Sequence, residues 1–148
     1  MELEAIKRRI INCIEKIYED DSYLLKHNNH EITISSKLAQ YLFLEFKNYN
    51  VDCEYNKNID IPKRIEESNS IFRPDIVIHK RGNNENNLVC IEIKTSHNNQ
   101  TRLNDYSKLK SITKQSGNYK YKLGVFIDFN KNKKNLIVKY FEDGKECS

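Results

Sequence analysis

The sequence lacks any apolar run long enough to span a membrane, and its N-terminus carries mixed charges where a secretory signal would have an apolar segment. It also lacks an internal repeat and a low-complexity linker. Its four cysteines are far apart and form no Cys-x-x-Cys pair, which argues against a structural zinc site. These absences predict a single domain over residues 1–148, located in a reducing cytoplasm and away from membranes.

The composition is compatible with a globular domain that has a nucleic-acid partner. Hydrophobic residues make up 38% and charged residues 31% of the chain, so it is polar but able to bury a core. The net charge of +4 permits a polyanionic partner without requiring one, because the basic clusters are small and fit a solvated surface equally well.

Two short aliphatic strands dominate the middle of the chain. Residues 71–79 and 88–94 are rich in Val and Ile, and the polar segment 80–87 between them carries Gly82 and four Asn, which predicts an antiparallel hairpin. A turn centred between Asn83 and Asn84 sets Asp75 opposite Glu92, with Cβ atoms roughly 5 Å apart. Lys94 shares their face because side chains alternate along a strand. The opposite face is aliphatic: Ile76, Ile78, Val89, Ile91 and Ile93.

Two interpretations of this face follow from the residues alone. Neighbouring carboxylates repel each other and lose solvation unless a positive charge lies between them, and Mg²⁺ is commonly held by one or two carboxylates with waters and phosphate. Alternatively, Lys94 pairs with Glu92 or Asp75 as an ordinary cross-strand ion pair on a solvated face.

Helical spacing predicts an amphipathic helix over residues 2–18 and a second helix from about Glu31 to Tyr49. The apolar stripe of the second helix contains Ile34, Leu38, Leu42 and Phe46. Glu31 lies on this inward stripe at the helix N-terminus, where the helix dipole favours an acid. That structural role alone accounts for Glu31.

The remaining pattern predicts a first strand over residues 51–56 and a long polar loop over residues 57–70. A third helix is predicted from Thr101 to Lys114, with an inward stripe of Leu103, Tyr106, Leu109 and Ile112. Its polar residues Asp105, Lys108 and Lys110 are expected to face solvent. Strands over residues 121–129 and 136–141 follow, with a turn between them.

Pro74-Asp75 followed by Glu92-Ile93-Lys94 resembles the signature of the PD-(D/E)XK nuclease superfamily, which has the restriction-endonuclease-like fold. The predicted order of elements over residues 31–129 is similar to the αβββαβ core of that superfamily. The resemblance therefore implies an α/β (α+β) fold with a mixed central sheet flanked by helices. An extra N-terminal helix and an extra C-terminal strand would complete the chain.

The resemblance also implies an activity, that of a Mg²⁺-dependent nuclease (a hydrolase acting on phosphodiester bonds). Asp75, Glu92, the backbone carbonyl of Ile93 and Glu31 would hold one or two Mg²⁺ ions, for which Mn²⁺ can substitute. Lys94 would orient the attacking water or stabilise charge on the phosphate. Glu45, at the other end of the second helix, is the reserve candidate for the role of Glu31.

DNA is the expected substrate in preference to RNA, and the resemblance allows a homodimer because many members of the superfamily are dimers. Lys57, Lys63 and Arg64 on the polar loop could reach the nucleic-acid backbone, as could Lys108 on the third helix. The alternative is a catalytically silent module that keeps the nuclease fold and binds nucleic acid or another protein.

Overall fold

The computed structural model describes residues 1–27, 31–55, 57–58, 61–65, 71–95 and 101–148, with backbone alone for residues 57, 58 and 61. The helices within these ranges are α1 (Leu3–Asp20), α2 (Ser22–Lys26), α3 (Glu31–Glu45) and α4 (Leu103–Thr113). The strands are β1 (Asn50–Cys53), β2 (Lys57–Asn58), β3 (Ile61–Pro62), β4 (Ile76–His79), β5 (Val89–Thr95), β6 (Leu123–Phe129), β7 (Ile137–Glu142) and β8 (Lys145–Cys147). None of the described helices is both long enough and apolar enough to cross a membrane.

Six strands form one mixed sheet in the order β1-β4-β5-β6-β7-β8. The β5–β6 pair is parallel, and the other neighbouring strands of this sheet are antiparallel. The helix α4 joins the two parallel strands, as a crossover between parallel strands requires. A mixed α+β fold with a helix-flanked central sheet is therefore confirmed.

The register of the central hairpin is confirmed as well. Ile76 pairs with Ile91 and Ile78 pairs with Val89, which is the pairing that a turn centred at Asn83 and Asn84 produces. The five aliphatic side chains predicted to share a face belong to one core cluster with α1 and α3. Because a slip of one residue would turn these side chains toward the other face, this burial fixes the register.

The opposite face of the sheet is covered by a second core cluster. Val77 and Cys90 pack there with Leu109 and Ile112 of α4, and with Phe72 from the segment before β4. This face is apolar around α4 and carries two groups of polar side chains. Asp75, Glu92 and Lys94 lie where β4 begins and β5 ends, and the ion pair of Asp52 with His79 lies farther along β4.

The structure differs from the predicted elements at several places, and the second predicted helix ends at Glu45 rather than near Tyr49. A short β2–β3 ribbon forms within the segment expected to be a loop. The first strand ends at Cys53, because Glu54 has a φ of 50° and interrupts the extended backbone. An additional strand, β8, pairs with β7 through the two-residue turn Asp143-Gly144, in which both residues have positive φ. Asp-Gly between paired strands is a recognised hairpin signal, so the sequence did contain an indication of this strand.

Candidate metal and phosphate site

The carboxylates of Asp75 and Glu92 lie together at one end of the central hairpin. Asp75 immediately precedes β4, and the observed register, extended by one residue, sets it opposite Glu92 of β5. The Asp75 Oδ2 atom accepts a hydrogen bond of 2.7 Å from the backbone N–H of Ile93. The Asp75 carbonyl accepts another, of 3.0 Å, from the N–H of Glu54. These bonds fix the backbone and the side chain of Asp75 relative to β1 and β5.

The backbone carbonyl of Ile93 faces the same site as the Asp75 carboxylate. In an antiparallel ladder the N–H and C=O of one residue point toward the same neighbouring strand, so the Ile93 carbonyl lies on the side where its N–H meets Asp75. The β4–β5 ladder ends at the pair Ile76–Ile91, so it does not include Ile93, and Pro74 lies just before β4. Proline has no N–H to donate to that carbonyl. This backbone oxygen therefore suits a cation, the role that the resemblance implies for it.

Both carboxyl groups are held in an environment that opposes their ionisation. Burial raises the pKa of Asp75 to about 6, although the Ile93 N–H and Lys94 act in the opposite direction. Burial also holds the pKa of Glu92 well above its usual range, with further contributions from the negative charges of Asp75 and Asp105. Within the described part of the chain, the buried Oε1 atom of Glu92 has no hydrogen-bond donor. A proton or a cation would relieve this arrangement.

Lys94 approaches this pair of acids from the end of β5, on the same face of the sheet. Its charge lowers the pKa of both Asp75 and Glu92 against the larger effect of burial, so its ammonium group lies within electrostatic range of both. The Nζ atom of Lys94 also forms an ion pair with Asp105, at 3.5 Å from Oδ2. The three signature side chains therefore share one site, together with an acid that the motif does not contain.

Asp105 is the functional candidate that sequence reasoning missed. It was expected to face solvent, whereas only 4% of it is exposed; Leu103, expected to face inward, is 69% exposed. The buried stripe of α4 runs through Asp105, Leu109 and Ile112, at spacings of four and three residues. That spacing was visible in the sequence, but burial of a carboxylate is costly unless it is paired with a positive charge. The partner, Lys94, comes from another element, so the spacing within the helix did not indicate it.

Glu31 begins α3, as predicted, and is partly buried. Burial is the main cause of the raised pKa of Asp75, and the negative charge of Glu31 raises it further. Glu31 therefore lies within electrostatic reach of the site. Glu45, the reserve candidate, is exposed at the opposite end of the same helix, where its carbonyl accepts a hydrogen bond from Arg9 of α1. The structure therefore favours Glu31 over Glu45.

The start of α4 is tied to the ends of the two parallel strands. The Arg102 Nε atom lies 3.1 Å from Oδ2 of Asp128 on β6, and its Nη2 atom donates to the carbonyl of Thr95 at the end of β5. Asp128 is the register partner of Lys94 across the parallel pair. This contact fixes the first turn of α4, and with it Asp105, beside Lys94.

The four predicted phosphate-contacting residues occupy different surroundings. The side chain of Lys57 lies outside what the structure describes. Lys63 is only 2% exposed, with Nζ 4.5 Å from the centre of the Tyr55 ring, so the expectation that it projects from a solvated loop is corrected. Arg64 is exposed. The Lys108 ammonium lies 3.9 Å from Oδ1 of Asp105, beside the acids.

The donor set fits a hard divalent cation held mainly by two protein carboxylates. Asp75, Glu92 and the Ile93 carbonyl offer oxygen ligands, and Mg²⁺ typically keeps several waters and takes further oxygens from a phosphate. Among the described residues, no three His, Cys, Asp or Glu side chains are grouped closely enough to hold a metal ion by themselves. Water and phosphate oxygens would therefore complete the coordination.

In comparisons with known proteins, no family model, curated sequence or solved structure matches this chain.

Proposed function

We propose that this protein is a divalent-metal-dependent nuclease that hydrolyses phosphodiester bonds, with DNA as its expected substrate. The observation that carries the proposal is the convergence of the partly buried Asp75 and the buried Glu92 at one end of the hairpin, with both pKa values raised and Lys94 within electrostatic range of both. Perturbed carboxylates gathered with a cationic side chain are characteristic of functional sites rather than of ordinary surface ion pairs.

The order of the elements supports the resemblance to the PD-(D/E)XK superfamily. Apart from the two-residue strands β2 and β3, α3 is followed by β1, β4, β5, α4 and β6, in keeping with an αβββαβ core. The signature residues come from the start of β4 and the end of β5, with α1 and the β7–β8 hairpin as additions.

The charge balance of the site supports a cation. The acids Asp75, Glu92, Asp105 and Glu31 outnumber the ammonium groups of Lys94 and Lys108 by two. One divalent ion would offset that excess when all four acids are ionised. When bound, Mg²⁺ polarises a phosphoryl oxygen and makes coordinated water a better nucleophile near neutral pH.

The chain's own groups have distinct roles in this proposal. Asp75 and Glu92 would hold the ion through carboxylate oxygens, the Ile93 carbonyl would be a further ligand, and Glu31 of α3 would add negative charge near Asp75. The Ile93 N–H keeps the Asp75 carboxylate oriented. Lys94 donates hydrogen bonds to the phosphate as negative charge develops on its oxygens. Removal of one such donor typically lowers the rate roughly 10²- to 10³-fold.

The decisive experiment measures Mg²⁺- and Mn²⁺-dependent cleavage of double-stranded DNA, single-stranded DNA and RNA. We expect the wild-type protein to cleave, and Asp75→Asn, Glu92→Gln and Lys94→Met to lose at least about 10²-fold in rate while remaining folded by circular dichroism. Glu15→Gln is the matched control, because Glu15 of α1 pairs with Lys133, and α1 packs on the aliphatic face of the sheet, opposite the face that carries the site. Its rate should match that of the wild type.

A gel-shift assay on the same substrates separates the rival class of function. Binding without metal-dependent cleavage would identify a silent module and contradict the nuclease proposal. Equal cleavage by the wild-type and Lys94→Met proteins would show that the activity belongs to another site or to a contaminant.

A further inference from the structure

We propose that Asp105 is a positioning residue that holds the ammonium groups of Lys94 and Lys108 side by side to receive one phosphate group. The inference deepens the proposed nuclease function and rests on it. It adds to the signature residues a carboxylate from α4 that acts on the phosphate through two lysines.

The contacts around Asp105 have the form of a bridge. Its Oδ2 atom lies 3.5 Å from Nζ of Lys94, and its Oδ1 atom lies 3.9 Å from Nζ of Lys108. Each oxygen of one carboxylate therefore faces a different ammonium group. A phosphate group also presents neighbouring oxygens to cationic donors, so two ammonium groups attracted to one carboxylate can both donate to one phosphate.

These contacts are too long to occupy the lysines fully. A charge-assisted N–H···O bond is usually about 2.7–2.9 Å, and an ammonium group has three donors. Within the described residues the buried Oδ2 atom of Asp105 accepts no hydrogen bond. Asp105 therefore attracts both ammonium groups electrostatically while leaving their donors available for a stronger acceptor.

With a divalent cation bound, the attraction between Asp105 and Lys94 would be needed to keep Lys94 at the site. The cation would repel Lys94, because both would lie close to Asp75 and Glu92. The negative charge of Asp105, held on α4 rather than on the hairpin, offsets that repulsion and keeps Lys94 beside the reacting phosphate. The contacts of Arg102 with Asp128 and Thr95 fix the turn that carries Asp105.

A purely structural role would not require this geometry. An acid in the first turn of a helix is stabilised by the helix dipole at an exposed position too. Asp105 is instead almost fully buried and faces two lysines, one of which belongs to the signature. A direct metal ligand is the other alternative, and its removal would abolish metal binding.

The test combines steady-state kinetics, Mn²⁺ calorimetry and NMR of the lysine ammonium groups. In Asp105→Asn we expect kcat to fall about 10- to 100-fold, while KM and the Mn²⁺ Kd change less than about threefold. Asp105→Glu, which keeps the charge, should regain part of kcat. The Lys94 ammonium resonance should shift in Asp105→Asn and stay in place in the control Glu15→Gln, which removes a charge from α1 on the other face of the sheet. Asp105→Ser provides a second charge-removing variant should the first fail to fold.

Each outcome decides the proposal. A wild-type kcat in a folded Asp105→Asn protein, or an unchanged Lys94 resonance, would overturn it while leaving the nuclease function intact. Loss of Mn²⁺ binding would make Asp105 a metal ligand and overturn the positioning role. A wild-type protein that cleaves none of the substrates would refute the proposed function, and this inference with it.

Discussion

At the residue scale, the feature that sets this chain apart is the burial of carboxyl groups without matching donors. Glu92 is 5% exposed and Asp105 is 4% exposed, and each has a buried oxygen for which the described residues provide no hydrogen-bond donor. Burial of an ionised carboxylate is destabilising unless it is paired or bound to a metal. The site therefore reduces the stability of the metal-free fold.

Asp75→Asn should stabilise the metal-free protein at neutral pH. The pKa of Asp75 is raised from 3.8 to about 6, so between these pH values the folded chain retains a proton that the unfolded chain releases. Stability of the wild type therefore falls as pH rises through this window, by at most about 3 kcal/mol. Urea unfolding in EDTA should show an advantage for Asp75→Asn at pH 7.5 that has nearly vanished by pH 4.

Glu85→Gln is the control for this prediction, because Glu85 is an exposed acid in the loop between β4 and β5. Its stability should follow that of the wild type at both pH values. An Asp75→Asn protein that is less stable than the wild type at pH 7.5 would mean that the Asp75 carboxylate is stabilised in the folded chain.

Lys63→Met should also stabilise the fold at neutral pH. Burial lowers the pKa of Lys63 from 10.5 to about 8, and the residue is 2% exposed. Between these values the unfolded chain binds a proton that the folded chain lacks, so wild-type stability rises with pH through the window. Methionine keeps the unbranched stem without the charge. The variant should gain about 1–3 kcal/mol at pH 7, a difference that narrows by pH 9.5.

Urea unfolding at these two pH values measures the effect, and DNA affinity provides a second readout. Because Lys63 lies beneath the surface, its replacement should leave DNA binding unchanged, whereas replacement of the exposed Arg64 tests the predicted phosphate contact of that loop. A loss of stability at pH 7 would show that the contact of Lys63 with Tyr55 outweighs its desolvation.

At the element scale, the placement of α4 on the sheet connects packing to the site. Gly124 of β6 lies directly beneath this helix. A Cβ atom at Gly124 would come within 3.1 Å of Cγ2 of Thr113 and within 3.3 Å of Cβ of Leu109. The absence of a side chain at Gly124 therefore lets α4 approach the sheet closely, and α4 carries Asp105 and Lys108.

Gly124→Ala should reduce both stability and activity. Overpacking of a tight contact costs about 1–3 kcal/mol, and the two contacts with α4 are relieved when the helix moves away from the sheet. Such a movement would also displace Asp105 from Lys94. Urea unfolding should show the loss of stability, and the cleavage rate should fall under conditions where the variant is fully folded.

Gly82→Ala is the contrasting variant. Gly82 has a φ of 90°, and a Cβ atom added there would meet nothing within 4 Å, so its replacement strains only the hairpin loop. It should cost about 1–2 kcal/mol through the backbone alone and leave the cleavage rate unchanged. If the two variants lose activity equally, the contact between Gly124 and α4 has no special connection to the site.

At the scale of the whole molecule, metal binding and folding are thermodynamically linked. A ligand that binds only the folded chain stabilises it by about 2.7 kcal/mol at a concentration of 100 times its Kd. The relief of the unfavourable burial of Asp75 and Glu92 contributes to the affinity for the cation, so it is already contained in that Kd.

Mn²⁺ should therefore raise the thermal midpoint of the wild-type protein, and EDTA should reverse the change. Glu92→Gln should lose most of this response, whereas the control Glu15→Gln should retain it. Differential scanning calorimetry with and without Mn²⁺ measures the shift. An equal response in Glu92→Gln and the wild type would place the cation elsewhere on the protein.

The sequence by itself determined the central hairpin and the grouping of its side chains. Alternation, together with the polar turn around Asn83, was sufficient to set Asp75 opposite Glu92, because alternation fixes which side chains share a face and the position of the turn fixes which residues pair. Helical spacing likewise predicted α1 and the start of α3 at Glu31, since both depend on contacts between residues three and four apart.

Only the tertiary structure decided which polar residues are buried. Lys63 is covered by packing over the second face of the sheet, and Asp105 faces inward because its partner Lys94 comes from a different element. Local periodicity assigns such residues to solvent, since burial of a lone charge is unfavourable. Folding brings together the charges and apolar groups that stabilise these buried side chains. Those groups are distant in the sequence, so the spacing of neighbouring residues does not predict their contact.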